Sequence, residues 1–89
     1  MSNRERKPRA KWSQKKEASA IVYRARVVDL FSLYVSNDVD SGIAWTVESN
    51  GGLHTDGSGE AKTVDLAKIA AEDLVLLMLD KAYSELHWK

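Results

Sequence analysis

The chain has no cysteine, one proline (Pro8) and two histidines among its 89 residues. Without thiols there is no disulfide framework and no thiolate metal site, so a stapled secreted scaffold and a zinc finger are both excluded. No apolar run reaches the ~18 residues that a membrane span needs, the longest being Leu74 to Leu79, and no uninterrupted signal core follows the basic N-terminus. These absences predict a soluble, unprocessed, cytoplasmic protein with no membrane partner. What remains, 44% hydrophobic and 29% charged, is the composition of one folded domain with a single core.

The formal net charge of zero conceals a division. Residues 1–16 carry Arg4, Arg6, Lys7, Arg9, Lys11, Lys15 and Lys16 against Glu5 alone, so the segment is +6 and the remainder is −6. A short basic stretch with almost nothing apolar cannot offset its ordering entropy, so residues 1–16 are expected to form a mobile arm before a single domain over 17–89. Such arms follow phosphate backbones because each neutralised phosphate releases counterions, and Trp12 could stack on a base. The arm residues and Trp12 are therefore the candidate nucleic-acid contacts. Packing of the Trp12 indole against the body is the competing reading.

Ile43, Trp45 and Val47 alternate with Ala44, Thr46 and Glu48, the period of a half-buried strand whose tryptophan faces the core. Asn50-Gly51-Gly52 predicts a tight hairpin, and a return strand begins at Leu53, with a bend or bulge in the stretch Asp56-Gly57-Ser58-Gly59. Upstream, the Val, Ile, Tyr, Phe and Leu content of residues 19–36 predicts a strand at least from about Arg26 to Val35, closed by turn residues from Asn37 to Gly42. For residues 13–25 two readings stand, one long bent strand from about Ala20, which is favoured, and a short first helix capped by Ser13. Thr63 reads as the N-cap of a helix of roughly Val64 to His87, with Ala67, Ala70, Ala71, Leu74, Val75, Leu77, Met78 and Ala82 on its covered side. The expected fold is α+β, a three-stranded antiparallel sheet (β-β-β) covered by one long C-terminal helix.

Ile69, Leu76 and Tyr83 stand seven residues apart, outside that stripe, on a face shared with Asp65, Glu72, Asp73 and Asp80. A three-stranded sheet covers only one side of a helix, so this seam predicts a homodimer interface.

Catalytic chemistry finds no constellation. His54 and His87 are far apart in sequence, no metal-ligand spacing exists, and no cofactor is implied. A His54/Asp56 pair on one strand face lacks a nucleophile. Residues 37–48 put acids at the wrong positions for a calcium loop, and Asp56-Gly57-Ser58-Gly59 lacks the lysine of a phosphate-binding loop.

From Ile43 onward the order strand, Asn-Gly-Gly hairpin, strand, Gly57-Ser58-Gly59 and Ala67-Lys68-Ile69-Ala70-Ala71-Glu72 resembles the last two strands and second helix of double-stranded-RNA-binding domains. That resemblance implies phosphate contacts by Lys62 and Lys68, which Asp65 opposes. Trp45-x-Val47, Gly59-x-Ala61-x-Thr63 and Ala67-Lys68-x-x-Ala71-Glu72 also look like small phage and prophage proteins of βββα build. Together these readings predict a non-enzymatic, dimeric, phage-type accessory protein that contacts DNA or RNA through its arm. The alternative is an inhibitor or adaptor that presents Ile69, Glu72, Asp73, Leu76, Asp80 and Tyr83 to a basic surface of a host protein.

Overall fold

A computed structural model describes residues 7–87, the side chain of His87 excepted. Five antiparallel strands, β1 Ser13–Glu17, β2 Ala20–Val27, β3 Phe31–Asp38, β4 Gly42–Ser49 and β5 His54–Ala61, form one sheet in sequence order, and a single helix, α1 Val64–His87, follows. The expected class is borne out as α+β with one C-terminal helix on an antiparallel sheet. The sheet has five strands where three were expected.

The two extra strands come from two reversals inside residues 13–35 that carry no glycine, proline or asparagine. Glu17 pairs with Ala20 across a two-residue loop in which Ala18 adopts φ 50°. No helix occupies residues 13–25; the favoured strand does begin at Ala20 but ends at Val27 instead of running on, and Ser13 to Lys16, expected in the arm, form the edge strand β1. The strand expected from Arg26 to Val35 is broken at Val28 and Asp29, which take φ 49° and 54° while the Leu30 N–H bonds to the Val27 carbonyl at 3.1 Å. Left-handed backbone at two successive positions matches the twist of a hairpin, but a β-branched residue there is strained.

Other turns follow their residues. Gly51 and Gly52 have φ 66° and 89° in the β4–β5 connection. Asp38 closes β3 by accepting the N–H groups of Asp40 and Ser41 at 2.8 and 3.1 Å, ahead of Gly42 at φ 92°. The bulge in β5 falls at Asp56, the first residue of the expected stretch, because Val47 pairs with Gly57 and Glu48 with Thr55. The Thr63 hydroxyl accepts the Leu66 N–H at 3.0 Å, so the predicted N-cap and helix bounds both hold.

Register assigns the faces. Leu33 pairs with Ala25 and Val47, and Val35 with Tyr23 and Trp45, so the alternate residues Phe31, Leu33 and Val35 turn toward α1. With Val47, Ala67, Ala71 and Val75 they form the buried core, and Trp45 packs against it. Gly59 lies under the Trp45 ring: a Cβ there would sit 2.9 Å from the indole nitrogen.

The helix packs mainly on β3, β4 and β5. At 24 residues it is ~36 Å long, against ~26 Å for an eight-residue strand. It outruns the sheet, and every side chain from Asp80 to Leu86 is exposed. Ala82, expected on the covered side, is exposed for this reason; Leu77, expected there too, is exposed although Met78 and Leu79 beyond it still pack against the core. No helix among the described residues is long and apolar enough to cross a membrane.

Candidate nucleic-acid interface

The segment entering β1 is fixed by one carboxylate. Glu72, in the third turn of α1, is buried, and its oxygens accept the Arg9 N–H at 2.9 and 3.0 Å, the Ala10 N–H at 2.9 Å and the Trp12 indole N–H at 2.7 Å. A carboxylate only accepts hydrogen bonds, and here it meets donors that would otherwise stay unpaired beside the helix. One turn earlier the Lys68 ammonium sits 4.3 Å from the Tyr23 ring centroid and 5.5 Å from that of Trp12. The cation is thus lodged against two aromatic faces.

This docking changes the reading of the predicted site residues. Ile69 and Glu72 are buried within the chain, so they belong to no outward-facing seam. Asp73, Leu76, Asp80 and Tyr83 are exposed. Trp12 is half-buried with its indole N–H engaged by Glu72, so it serves as a strut of the arm's base, in keeping with the competing reading. Lys68, to which the RNA-binding resemblance gives a phosphate contact, is half-buried beside the Tyr23 and Trp12 rings. Arg4 and Arg6 lie outside the described residues. Lys7, Arg9, Lys11, Lys15 and Lys16 are exposed.

Pinning residues 9–12 to the helix brings Lys11 to the sheet's opposite face, where β2 contributes Arg24 and Arg26. Lys11, Ser13, Arg24, Arg26, Ser32 and Tyr34 line a shallow concavity of about 390 Å³. The Arg24 guanidinium lies 5.9 Å from the centroid of Tyr34, its register partner on β3. Arg24 also meets Glu17 at 3.5 Å, an exposed contact of little energetic weight, and Arg26 donates to the Asp29 carbonyl at 3.4 Å. Lys15, paired with Val22, shares this face, whereas Lys16, paired with Ile21, points to the other and lines a separate hollow with Asn37 and Val39. Arg24, Arg26 and Tyr34 were not singled out from the sequence. The signal was present, since residues two apart on a strand share a face, but it became readable only once β2 and β3 were known to be separate strands.

The remaining candidates hold no reactive arrangement. His54 Nε2 approaches Asp56 Oδ1 at 3.3 Å, which bears out their shared strand face, and the other Asp56 oxygen is buried without a hydrogen-bond partner among the described residues. Asp38 has its carboxyl held below the ordinary range by the backbone N–H groups of Asp40 and Ser41, with the Ser19 hydroxyl adding at 3.4 Å. Among the described residues no cluster of His, Asp or Glu is suited to a metal ion.

Comparison with family models, with curated proteins and with solved structures returns no match to this chain, so its site is described by its own geometry alone.

Proposed function

We propose that this chain is a nucleic-acid-binding protein without catalytic activity, and that the binding surface joins the basic N-terminal segment to the open face of the sheet. The observation that carries the reading is the single concavity in which Lys11, Arg24 and Arg26 converge around Tyr34. Three cations beside an aromatic ring combine phosphate neutralisation with a stacking surface, the pairing that nucleic acids use. Charge reversal at Arg24 and Arg26 tests it in the full chain. The logarithm of the wild-type binding constant for a labelled oligonucleotide should fall linearly with log salt, and Arg24→Glu/Arg26→Glu should weaken binding at least tenfold at 50 mM salt. Absence of binding by the wild type at that salt overturns the reading.

The exposed leucines of α1 favour one addition, self-association. Leu76 and Leu77 are 59% and 64% exposed midway along α1, and Leu86 is 82% exposed where the helix outruns the sheet. A second copy laid along α1 would cover them. Sedimentation equilibrium on the wild type and on Leu76→Glu decides it, since a wild type that stays monomeric at high micromolar concentration removes the dimer.

A further inference from the structure

Resting on the nucleic-acid reading, we infer that the ligand is single-stranded, with its phosphates along β1 and β2 and a base stacked on Tyr34. Register gives a charge map of the open face. Lys15, Arg24 and Arg26 stand on β1 and β2, with Lys11 at their edge, while Glu48 and Glu60 stand on β4 and β5. Asp38 lies at the far end of the face, by the β3–β4 turn, and Glu17, on β1 by the β1–β2 turn, reaches back to within 3.5 Å of the Arg24 guanidinium in an exposed contact that a phosphate can displace. The polarity runs across the strands, and β3 is the neutral line between the two halves.

Tyr34 occupies the middle of that line. Its neighbours along β3 are Ser32 and Ser36, and its cross-strand partners are Arg24 and Thr46. On three sides nothing longer than threonine rises beside the ring, and on the fourth stands the guanidinium. A planar base can lie on this platform with its own phosphate held over β2. Arg24 and Arg26, two residues apart on one strand, are ~6.6 Å apart and offer successive cations to one backbone.

A duplex meets the same face badly. Its bases are stacked inward and cannot reach Tyr34, and its second backbone lies across a groove ~6–12 Å wide. With ~4.8 Å between strands, a first backbone on β2 puts the second over β4 and β5, against Glu48 and Glu60. The acidic half of the sheet repels the second strand while the basic half holds the first.

The test is fluorescence anisotropy with a labelled twelve-residue oligothymidylate and with the same strand annealed to its complement, using the full chain. Wild type should prefer the single strand at least tenfold. Tyr34→Thr, which keeps strand propensity, should lose about tenfold in single-strand affinity with an unchanged salt slope, and Tyr34→Phe should keep the wild-type value within threefold. Arg24→Ala and Arg26→Ala should each lower the salt slope by about 0.7. Equal affinity of wild type for duplex and single strand overturns the inference, a result independent of how any variant folds, and so does a folded Tyr34→Thr that binds like wild type. If neither form binds, the underlying nucleic-acid reading fails instead.

Discussion

Replacing Glu72 isolates what holds the N-terminal segment. Three donors, the N–H groups of Arg9, Ala10 and Trp12, converge on its carboxylate at 2.7 to 3.0 Å. Hydrogen bonds to a charged group contribute roughly 1.5–3 kcal/mol each when desolvated, but a half-exposed segment can rehydrate on release, so ~1 kcal/mol apiece is the fitting value. Glu72→Ala should thus destabilise by about 3 kcal/mol, a large share of the 5–15 kcal/mol typical of a domain. For a chain of this size that is roughly 12–24 °C in Tm. Glu72→Gln is the sharper variant. Its amide oxygen can take the place of Oε2, which accepts from all three donors, while its NH2 replaces Oε1, which accepts only the second branch of the Arg9 bond. It should cost about 1 kcal/mol, most of it lost charge assistance. Thermal unfolding by circular dichroism gives the energies, and hydrogen exchange at the Arg9 and Ala10 amides with the Trp12 indole shift reports the docking. A Glu72→Ala protein within 0.5 kcal/mol of wild type, or Arg9 and Ala10 amides already unprotected in wild type, would refute the reasoning.

Three further outcomes are expected. Val28→Asn/Asp29→Gly supplies the residues that left-handed backbone favours at an exposed turn and should stabilise by about 1 kcal/mol, read as a higher Tm, whereas a lower Tm shows that the native turn is unstrained. Gly59→Ala drives a methyl into the Trp45 ring and should destabilise by ~1–3 kcal/mol in urea unfolding; an unchanged midpoint would mean that the ring moves aside freely. Asp38 has a depressed folded pKa, so its stabilising contribution is complete above the unfolded carboxylate value, ~3.9, and is lost as pH falls through the lower folded value. Carbon-13 titration should place its midpoint below ~3.9, Asp38→Asn should flatten the acid limb of the stability profile, and a midpoint at or above ~3.9 contradicts the hydrogen-bond assignment.

The half of the chain from Ile43 onward was legible because its punctuation follows the ordinary chemistry of turns. Asn50-Gly51-Gly52 supplies positive φ, Thr63 supplies a cap, and the alternation about Trp45 supplies a face. The first half was misread because its reversals, at Ala18-Ser19 and Val28-Asp29-Leu30, carry no glycine, proline or asparagine, and Ser19 and Asp29 stand as lone turn formers among strand-forming residues, so tertiary pairing overrides local preference. The same misreading hid the candidate site, since Arg24, Arg26 and Tyr34 become neighbours only when residues 20–38 fold back on themselves. Glu72 was counted among solvent-facing acids because helical spacing records the face of a residue and not what another segment lays upon it. The segregation of basic from acidic residues in sequence was legible, but the polarity across the open face is drawn differently, because Arg24 and Arg26 of the acidic remainder join Lys11 and Lys15 on its basic side.

The Glu72 clamp also decides where a mechanical load enters the molecule. In a meander each strand is hydrogen-bonded to its sequence neighbours only, so an edge strand pulled by its free end would part from the next one bond pair at a time, like a zip. Here a pull on the chain ahead of Arg9 reaches Glu72 before it reaches Ser13, and it is borne together by the bonds that converge on one carboxylate of the helix. The clamp lies 60 to 63 residues downstream of its donors, so the load passes directly to the last element of the chain. A ligand tugging on the basic segment would strain α1 while β1 keeps its register with β2, and the spacing of Lys11 from Arg24 and Arg26 would survive the tug.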